Sequence, residues 1–192
     1  MKELVLATNN IHKLYEIQQL LPSNFKLFTL NDVGIFESID ETGATIEENA
    51  LIKARYIYQK TGKNVFSDDT GLEVIALGGK PGVHSSRYAG EEGNSQKNID
   101  KLLNELVNET NKKARFRCCI ALIWNHKEYL FEGIVEGKIT DSPIGNGGFG
   151  YDPIFVPDGY DKSFAQMTTD EKNTISHRSI AIKKMVEFLE KL

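Results

Sequence analysis

Cysteine is nearly absent: the 192 residues contain two, Cys118 and Cys119, side by side. Neighbouring side chains on a strand point to opposite faces, which argues against a disulfide between them and for a reducing cytoplasm. Long apolar runs are missing too. None approaches the ~20 residues that a membrane span needs, so no membrane partner is expected. The opening, Met1 to Ala7, reads straight into a strand and has neither the apolar region nor the cleavage site of a signal peptide. Basic charge is not in excess. Lysine and arginine number 23 against 27 acidic residues, a net charge of −4 with no basic tail, and direct nucleic-acid binding is not expected. No internal repeat, low-complexity tract or linker breaks the chain, so residues 1–192 read as one continuous domain. What remains is 40% hydrophobic and 26% charged, the composition of a soluble globular protein with a full core.

The periodicities predict alternating strands and helices. A strand over residues 2–7 breaks at Thr8-Asn9-Asn10, and a helix follows with Leu14, Ile17, Leu20 and Leu21 on one face, ended by Pro22. A second helix is predicted over 47–60, with capping-box spacing at Thr45 and Glu48 and a stop at Gly62. A short strand over 64–67 leads into Asp68-Asp69-Thr70-Gly71. A third helix over 95–108 carries Ile99, Leu102, Leu103 and Leu106. Two strands, 115–124 and 128–137, join at Asn125-His126 as a hairpin. A short strand over 154–156 and a final helix over 177–191, capped by Ser176, close the chain. Early alternation followed by a hairpin points to an α/β protein with a mixed central sheet flanked by helices.

Residues 145–155, GNGGFGYDPIF, match the dinucleotide pattern G-x-G-x-x-G letter for letter. That fingerprint works only after the first strand, where it opens a helix whose amides hold a pyrophosphate. Here it comes late and runs into Tyr151-Asp152-Pro153, and proline disfavours helix in the residue before it. A nicotinamide or flavin cofactor is therefore not expected. Phe149 and Tyr151 beside the glycines would offer flat faces to a planar ligand such as a nucleobase.

Three clusters carry candidate chemistry. Thr8 to Lys13 lies where the first strand meets the first helix; helix amides favour anions and Lys13 adds a positive charge. Thr8, Asn9 and Asn10 are open to two readings, helix caps or ligand contacts. Asp68 and Asp69 would face opposite ways on a regular strand. They reach one site only if the strand bends, as Thr70-Gly71 suggests. Carboxylates at such a corner suit Mg²⁺, and one can orient or deprotonate a water; the alternative is a turn with solvated acids. Asp40-Glu41-Thr42-Gly43 is a second, less specific acidic turn, and Lys53 by itself reads as an exposed lysine. In the last cluster, Lys172, His177 and Arg178 put cations around the first turn of the final helix, against its dipole. That conflict favours a ligand with electronegative atoms.

Taken together these pieces resemble the inosine triphosphate pyrophosphatase family over nearly the whole length, in order. The matching segments are Thr8-x-Asn10-x-x-Lys13, Glu48-Asn49-Ala50 with Lys53-Ala54, Asp68-Asp69-Thr70-Gly71-Leu72 and Gly78-Gly79-x-Pro81-Gly82. Ser86-Arg87-Tyr88, Gly148-Phe149-Gly150-Tyr151-Asp152-Pro153 and Glu171-Lys172-Asn173 through Ser176-His177-Arg178 complete the series. The joint order and spacing carry the resemblance, since each motif alone is weak.

The resemblance implies an elongated two-lobed single domain, a homodimer, and Mg²⁺-dependent hydrolysis of non-standard purine nucleoside triphosphates (ITP, dITP, XTP) to the monophosphate and pyrophosphate. It implies that Thr8, Asn9, Asn10 and Lys13 hold the triphosphate with Lys53 nearby. Asp69 becomes the general base and a metal-linked acid, with Asp40 as the second metal-linked acid, Glu41 beside it, and Asp68 as an additional ligand. Thr70 keeps the hydroxyl of a common serine, while Asn9 replaces a common glycine. Phe149, Gly150, Tyr151, Asp152, Lys172, His177 and Arg178 would form the base pocket. Hypoxanthine and xanthine carry a 6-oxo acceptor where adenine carries an amino donor. Donors from His177 or Arg178 would match the first and be left unpaired by the second.

Overall fold

The computed structural model describes residues 1–192. The elements in chain order are β1 (Lys2–Leu6), α1 (Ile11–Leu20), β2 (Phe25–Phe28), α2 (Ile46–Thr61), β3 (Val65–Val74) and α3 (Ser95–Glu105). They continue with β4 (Lys113–Trp124), β5 (Lys127–Ile139), β6 (Phe155–Pro157), α4 (Thr169–Ile175) and α5 (His177–Glu190). One six-stranded sheet has the order β2-β1-β3-β4-β5-β6. β1 pairs parallel with β2 and β3, and β5 pairs antiparallel with β6, so the sheet is mixed, as the alternation of elements predicts.

Local chemistry sets most element ends. Asn10 caps α1 by accepting from the His12 and Lys13 amides. Thr45 caps α2 by accepting from the Glu48 amide, but the Glu48 carboxylate reaches back to the Ala44 amide, so the expected reciprocal box is displaced by one residue. Gly62 ends α2 at φ 64°, a left-handed position that favours glycine. β4 and β5 are joined through Asn125 (φ 48°) and His126 (φ 65°), the two left-handed residues of a tight hairpin turn.

The chain packs as two units. Unit 1 comprises residues 1–69, 118–133 and 178–192; unit 2 comprises 70–117 and 134–177. β3, β4 and β5 each contribute residues to both. In unit 1 the two-residue period of the strands sorts the core. Leu4, Leu6, Phe66, Cys118 and Ile120 pack with Ile17 of α1 and with Ile182 and Met185 of α5. Val5, Ala7, Val65 and Ala121 pack with Ala50, Ala54 and Ile57 of α2. In unit 2, Leu72, Val74 and Phe116 pack with Ile99 and Leu102 of α3 and with Tyr151, Phe155 and Phe164.

Three expectations are corrected. The strand expected to stop at Ser67 runs unbroken to Val74, with no bend at Thr70-Gly71. There the backbone around Gly82 lies so close that a Cβ on Gly71 would sit 2.6 Å from the Gly82 carbonyl oxygen, and the Leu72 amide donates to the Ser85 hydroxyl. The last cluster holds an extra helix, α4, capped reciprocally by Thr168 and Glu171. The third helix ends at Glu105, three residues short of Asn108.

Close approach also fixes β6. A Cβ on Gly137 would stand 2.4 Å from the Val156 carbonyl oxygen and 2.7 Å from the Phe155 ring. Gly137→Ala is expected to lower unfolding free energy by about 1–3 kcal/mol, the usual effect of overpacking, as measured by urea denaturation.

Candidate active site

The residues singled out in the sequence fall into two groups, one in each unit. In unit 1 the strand period decides the chemistry of the aspartate pair. Because β3 is straight, Asp68 follows Phe66 onto the face packed by α1 and α5, and Asp69 follows Val65 and Ser67 onto the face packed by α2. Neither carboxylate is solvated.

Asp68 is 0% exposed and sits among cations. Its Oδ2 accepts from Lys13 Nζ at 3.0 Å and from Arg178 Nε at 3.2 Å. Arg178, also buried, donates through Nη1 to Glu16, a buried acid beside Ile17 on α1. Burial alone would raise the Asp68 pKa. The fields of Lys13, Arg178 and Lys53 outweigh it and hold the carboxyl well below the usual carboxylate range. The sequence singles out Arg178 as a base-pocket donor; two of its nitrogens are already committed to carboxylates here.

Asp69 belongs to a different group. Lys53 Nζ on α2 donates to Asp69 Oδ1 at 3.1 Å and to Glu41 Oε1 at 2.7 Å. Lys53 is buried, contrary to the exposed lysine its position in the sequence suggests. Burial works against its ammonium, and Asp69 and Glu41 more than offset that and raise its pKa. The Asp69 pKa is raised, because burial of the carboxylate and the nearby Glu41 outweigh Lys53 and Lys13. Asp69 Oδ2 is buried and has no hydrogen-bond partner. The second acid at this centre is Glu41; Asp40, one residue earlier, makes no ion pair with Lys53. A loop residue's direction is not set by a simple period, so the sequence leaves that choice open.

The phosphate-loop candidates occupy the entrance to α1. Thr8 Oγ1 accepts from the Asn10 amide at 3.2 Å, and Asn10 Oδ1 accepts from the amides of His12 (3.0 Å) and Lys13 (3.2 Å). The capping reading is therefore realised. Asn9 and Asn10 are exposed and Thr8 half-buried.

Unit 2 holds Thr70 and the glycine loop. Asp152 is buried and works as the loop's internal anchor. Its Oδ2 accepts from the Phe149 amide at 2.9 Å and from Lys172 Nζ at 2.7 Å. Gly148, at φ 69°, lies so close that a Cβ there would overlap the Asp152 carboxylate. Lys172 Nζ in turn stands 4.9 Å from the centre of the half-buried Phe149 ring. Tyr151 departs from expectation. Its ring lies in the core, 4% exposed, and its hydroxyl donates to the Ser85 carbonyl at 2.9 Å, so Phe149 is the aromatic face the loop leaves accessible. Gly150 is half-buried beside it. His177 is buried and stacks on Phe116, ring centres 4.6 Å apart and 13° from parallel.

A divalent cation fits the first group. The donor set is two carboxylates, Glu41 and Asp69, with one orphaned buried oxygen on Asp69. Hard cations that keep water and substrate phosphate as their other ligands need only one or two protein carboxylates.

Residues 4–188 match the model of the Ham1 family. A dITP/XTP pyrophosphatase of Flavobacterium psychrophilum is 51% identical over 188 residues, covering 98% of this chain and 99% of that protein. Among solved structures, a HAM1 protein from Coxiella burnetii superposes with a TM-score of 0.92 at 39% identity, covering 100% of both chains. The Staphylococcus aureus Ham1 protein gives 0.90 at 41% identity, covering 99% of both.

The network around Asp68 makes a quantitative prediction. Asp68→Asn leaves buried Arg178 short of a partner and is expected to lower stability by about 3–5 kcal/mol at pH 7. Because the Asp68 pKa is depressed, its contribution is present above the unfolded value of about 4 and is lost as pH falls further. Urea unfolding should give a wild-type–variant difference that is constant from about pH 8 to 5 and shrinks below about pH 4.

Proposed function

The chain belongs to the Ham1 family, and on that premise we propose that it hydrolyses non-standard purine nucleoside triphosphates of the dITP and XTP type to the monophosphate and pyrophosphate. In the cell this clears such nucleotides before they enter DNA or RNA. The observation that carries the reading is the Glu41–Lys53–Asp69 group, in which half-buried Glu41 joins buried Lys53 and Asp69, with the orphaned Asp69 Oδ2. The whole chain, residues 1–192, acts as one pyrophosphatase domain. We read its working form as a homodimer in the cytoplasm, free of nucleic acid. The resemblance implies the first, and two buried cysteines that form no disulfide support the second. No helix is long and apolar enough to cross a membrane.

The chemistry follows from charge. A triphosphate is strongly anionic, and catalysis of phosphoryl transfer consists largely of offsetting that charge and aligning the nucleophile. Lys13 and Lys53 take the phosphates, with Thr8, Asn9 and Asn10 beside them at the start of α1. Glu41 and Asp69 would hold Mg²⁺, which when bound supplies further charge neutralisation. Glu41 replaces Asp40 in this role because it is the acid that shares Lys53. Asp69 orients the attacking water and receives its proton. Burial raises its affinity for that proton, which suits a base. Asp68, whose Oδ2 is held by both Lys13 and Arg178, is a structural anion and not a metal ligand.

Base selection belongs to Phe149, Gly150, Lys172 and His177. Phe149 offers a stacking face, and the ammonium and imidazole are donors for a 6-oxo group. Asp152 fixes Lys172, and Tyr151 fixes the loop. Thr70 follows Asp69 on the strand with its hydroxyl retained. Arg178 keeps a part in selection through its position next to His177, with Asp68 and Glu16 holding its guanidinium.

Two experiments check this reading. Incubation with ITP and Mg²⁺ should yield IMP and pyrophosphate by ion-exchange chromatography, whereas IDP and phosphate would indicate a phosphatase. Asp69→Asn should lower kcat by about 10²–10⁴ with an unchanged circular-dichroism spectrum. An active variant removes Asp69 from the mechanism.

A further inference from the structure

Glu41 lies in an irregular loop, yet it meets Lys53 at hydrogen-bond distance, so something must hold that loop in place. The restraint comes from α2. Asn49 stands one helical turn before Lys53, on the same side of the helix. It is 0% exposed, and its Oδ1 accepts from the Gly43 amide at 2.7 Å. Gly43 is only two residues after Glu41. The contact is close enough to require glycine: a Cβ on Gly43 would stand 2.7 Å from Asn49 Oδ1 and 2.9 Å from the Asn49 amide nitrogen.

The Gly43 N–H also fixes the orientation of the Asn49 amide, since Oδ1 has to face a donor. Asn49 Nδ2 is then left buried without a hydrogen-bond partner. An unpaired buried donor destabilises a fold. An apolar residue would serve stability better at this position, as Ala50, Ala54 and Ile57 do elsewhere on α2. What an asparagine supplies that alanine does not is the acceptor for the acidic loop.

We propose that Asn49 is a positioning residue, holding the Gly43 backbone so that Glu41 shares Lys53 with Asp69 and the two carboxylates form one cation-binding pair. The inference rests on the reading of Glu41 and Asp69 as the metal-linked acids. Its effect is on cation affinity and turnover, with the global fold little changed.

The test titrates Mn²⁺ into the full-length protein and follows free Mn²⁺ by electron paramagnetic resonance, together with dITP kinetics and thermal unfolding. Asn49→Ala is expected to weaken Mn²⁺ binding about 10–100-fold, the usual effect of removing a support of a metal ligand. The thermal midpoint should stay within ~3 °C, and kcat for dITP should fall with KM little changed. Gly43→Ala displaces the same loop from the other side and should weaken Mn²⁺ comparably. Asn49→Leu, which fills the space without an acceptor, should behave as Asn49→Ala. Wild-type Mn²⁺ affinity in these variants overturns the proposal. Unfolding of all three makes Asn49 structural and overturns it equally. Failure of the wild-type protein to bind Mn²⁺ instead defeats the metal reading beneath it.

Discussion

The pleat of β3 is the constraint on which the site depends, because an unbroken strand cannot turn two consecutive aspartates toward one ligand. Asp68 and Asp69 are therefore given to opposite faces, and each face supplies a different environment. On one, α1 and α5 bring Lys13 and Arg178 to the Oδ2 of Asp68, which stays ionised. On the other, α2 brings Lys53 to Asp69, whose second oxygen is left unpaired. Two cations bind Asp68 and one binds Asp69, which leaves Asp69 the less committed of the two. The difference follows from a two-residue period.

The charge balance of unit 1 extends this division. Lys13, which the proposed mechanism assigns to phosphate, already pairs with Asp68, and Lys53 already pairs with both Glu41 and Asp69. Both ammonium groups are thus held in place before a ligand arrives. Positioning them in advance avoids ordering flexible side chains at the moment of binding. The buried Arg178–Glu16 contact plays the same part for the start of α5, where His177 and Arg178 stand in sequence.

Much of this was legible in the sequence, and the failures have physical causes. Four of the five helices, the glycine stop of α2 at Gly62 and the Asn125-His126 hairpin follow from periodicity and turn chemistry, which are local. The length of β3 was not legible. Thr70-Gly71 looks like a breaker, but Gly71 is there because the Gly82 backbone packs against it, a contact 11 residues away in the chain. Its glycine neighbours suggest that Tyr151 is a surface for a base, yet its hydroxyl finds the distant Ser85 carbonyl and its ring joins the core. Glu16 belongs to none of the clusters that the sequence singles out. An acid adjoining Ile17 in the apolar stripe of α1 is the signal that could have found it. The choice of Glu41 over Asp40 depends on Asn49 and Gly43, side chain against loop backbone, which no residue pattern displays.

The central claim is that Glu41 and Asp69 form the cation-binding pair while Asp68 remains a structural anion. Anomalous diffraction from a crystal soaked with Mn²⁺ tests it most directly. The account predicts a single peak within coordination distance of the Glu41 and Asp69 carboxylates, with Asp68 still bonded to Lys13 and Arg178. A peak on Asp68 or Asp40 would contradict it.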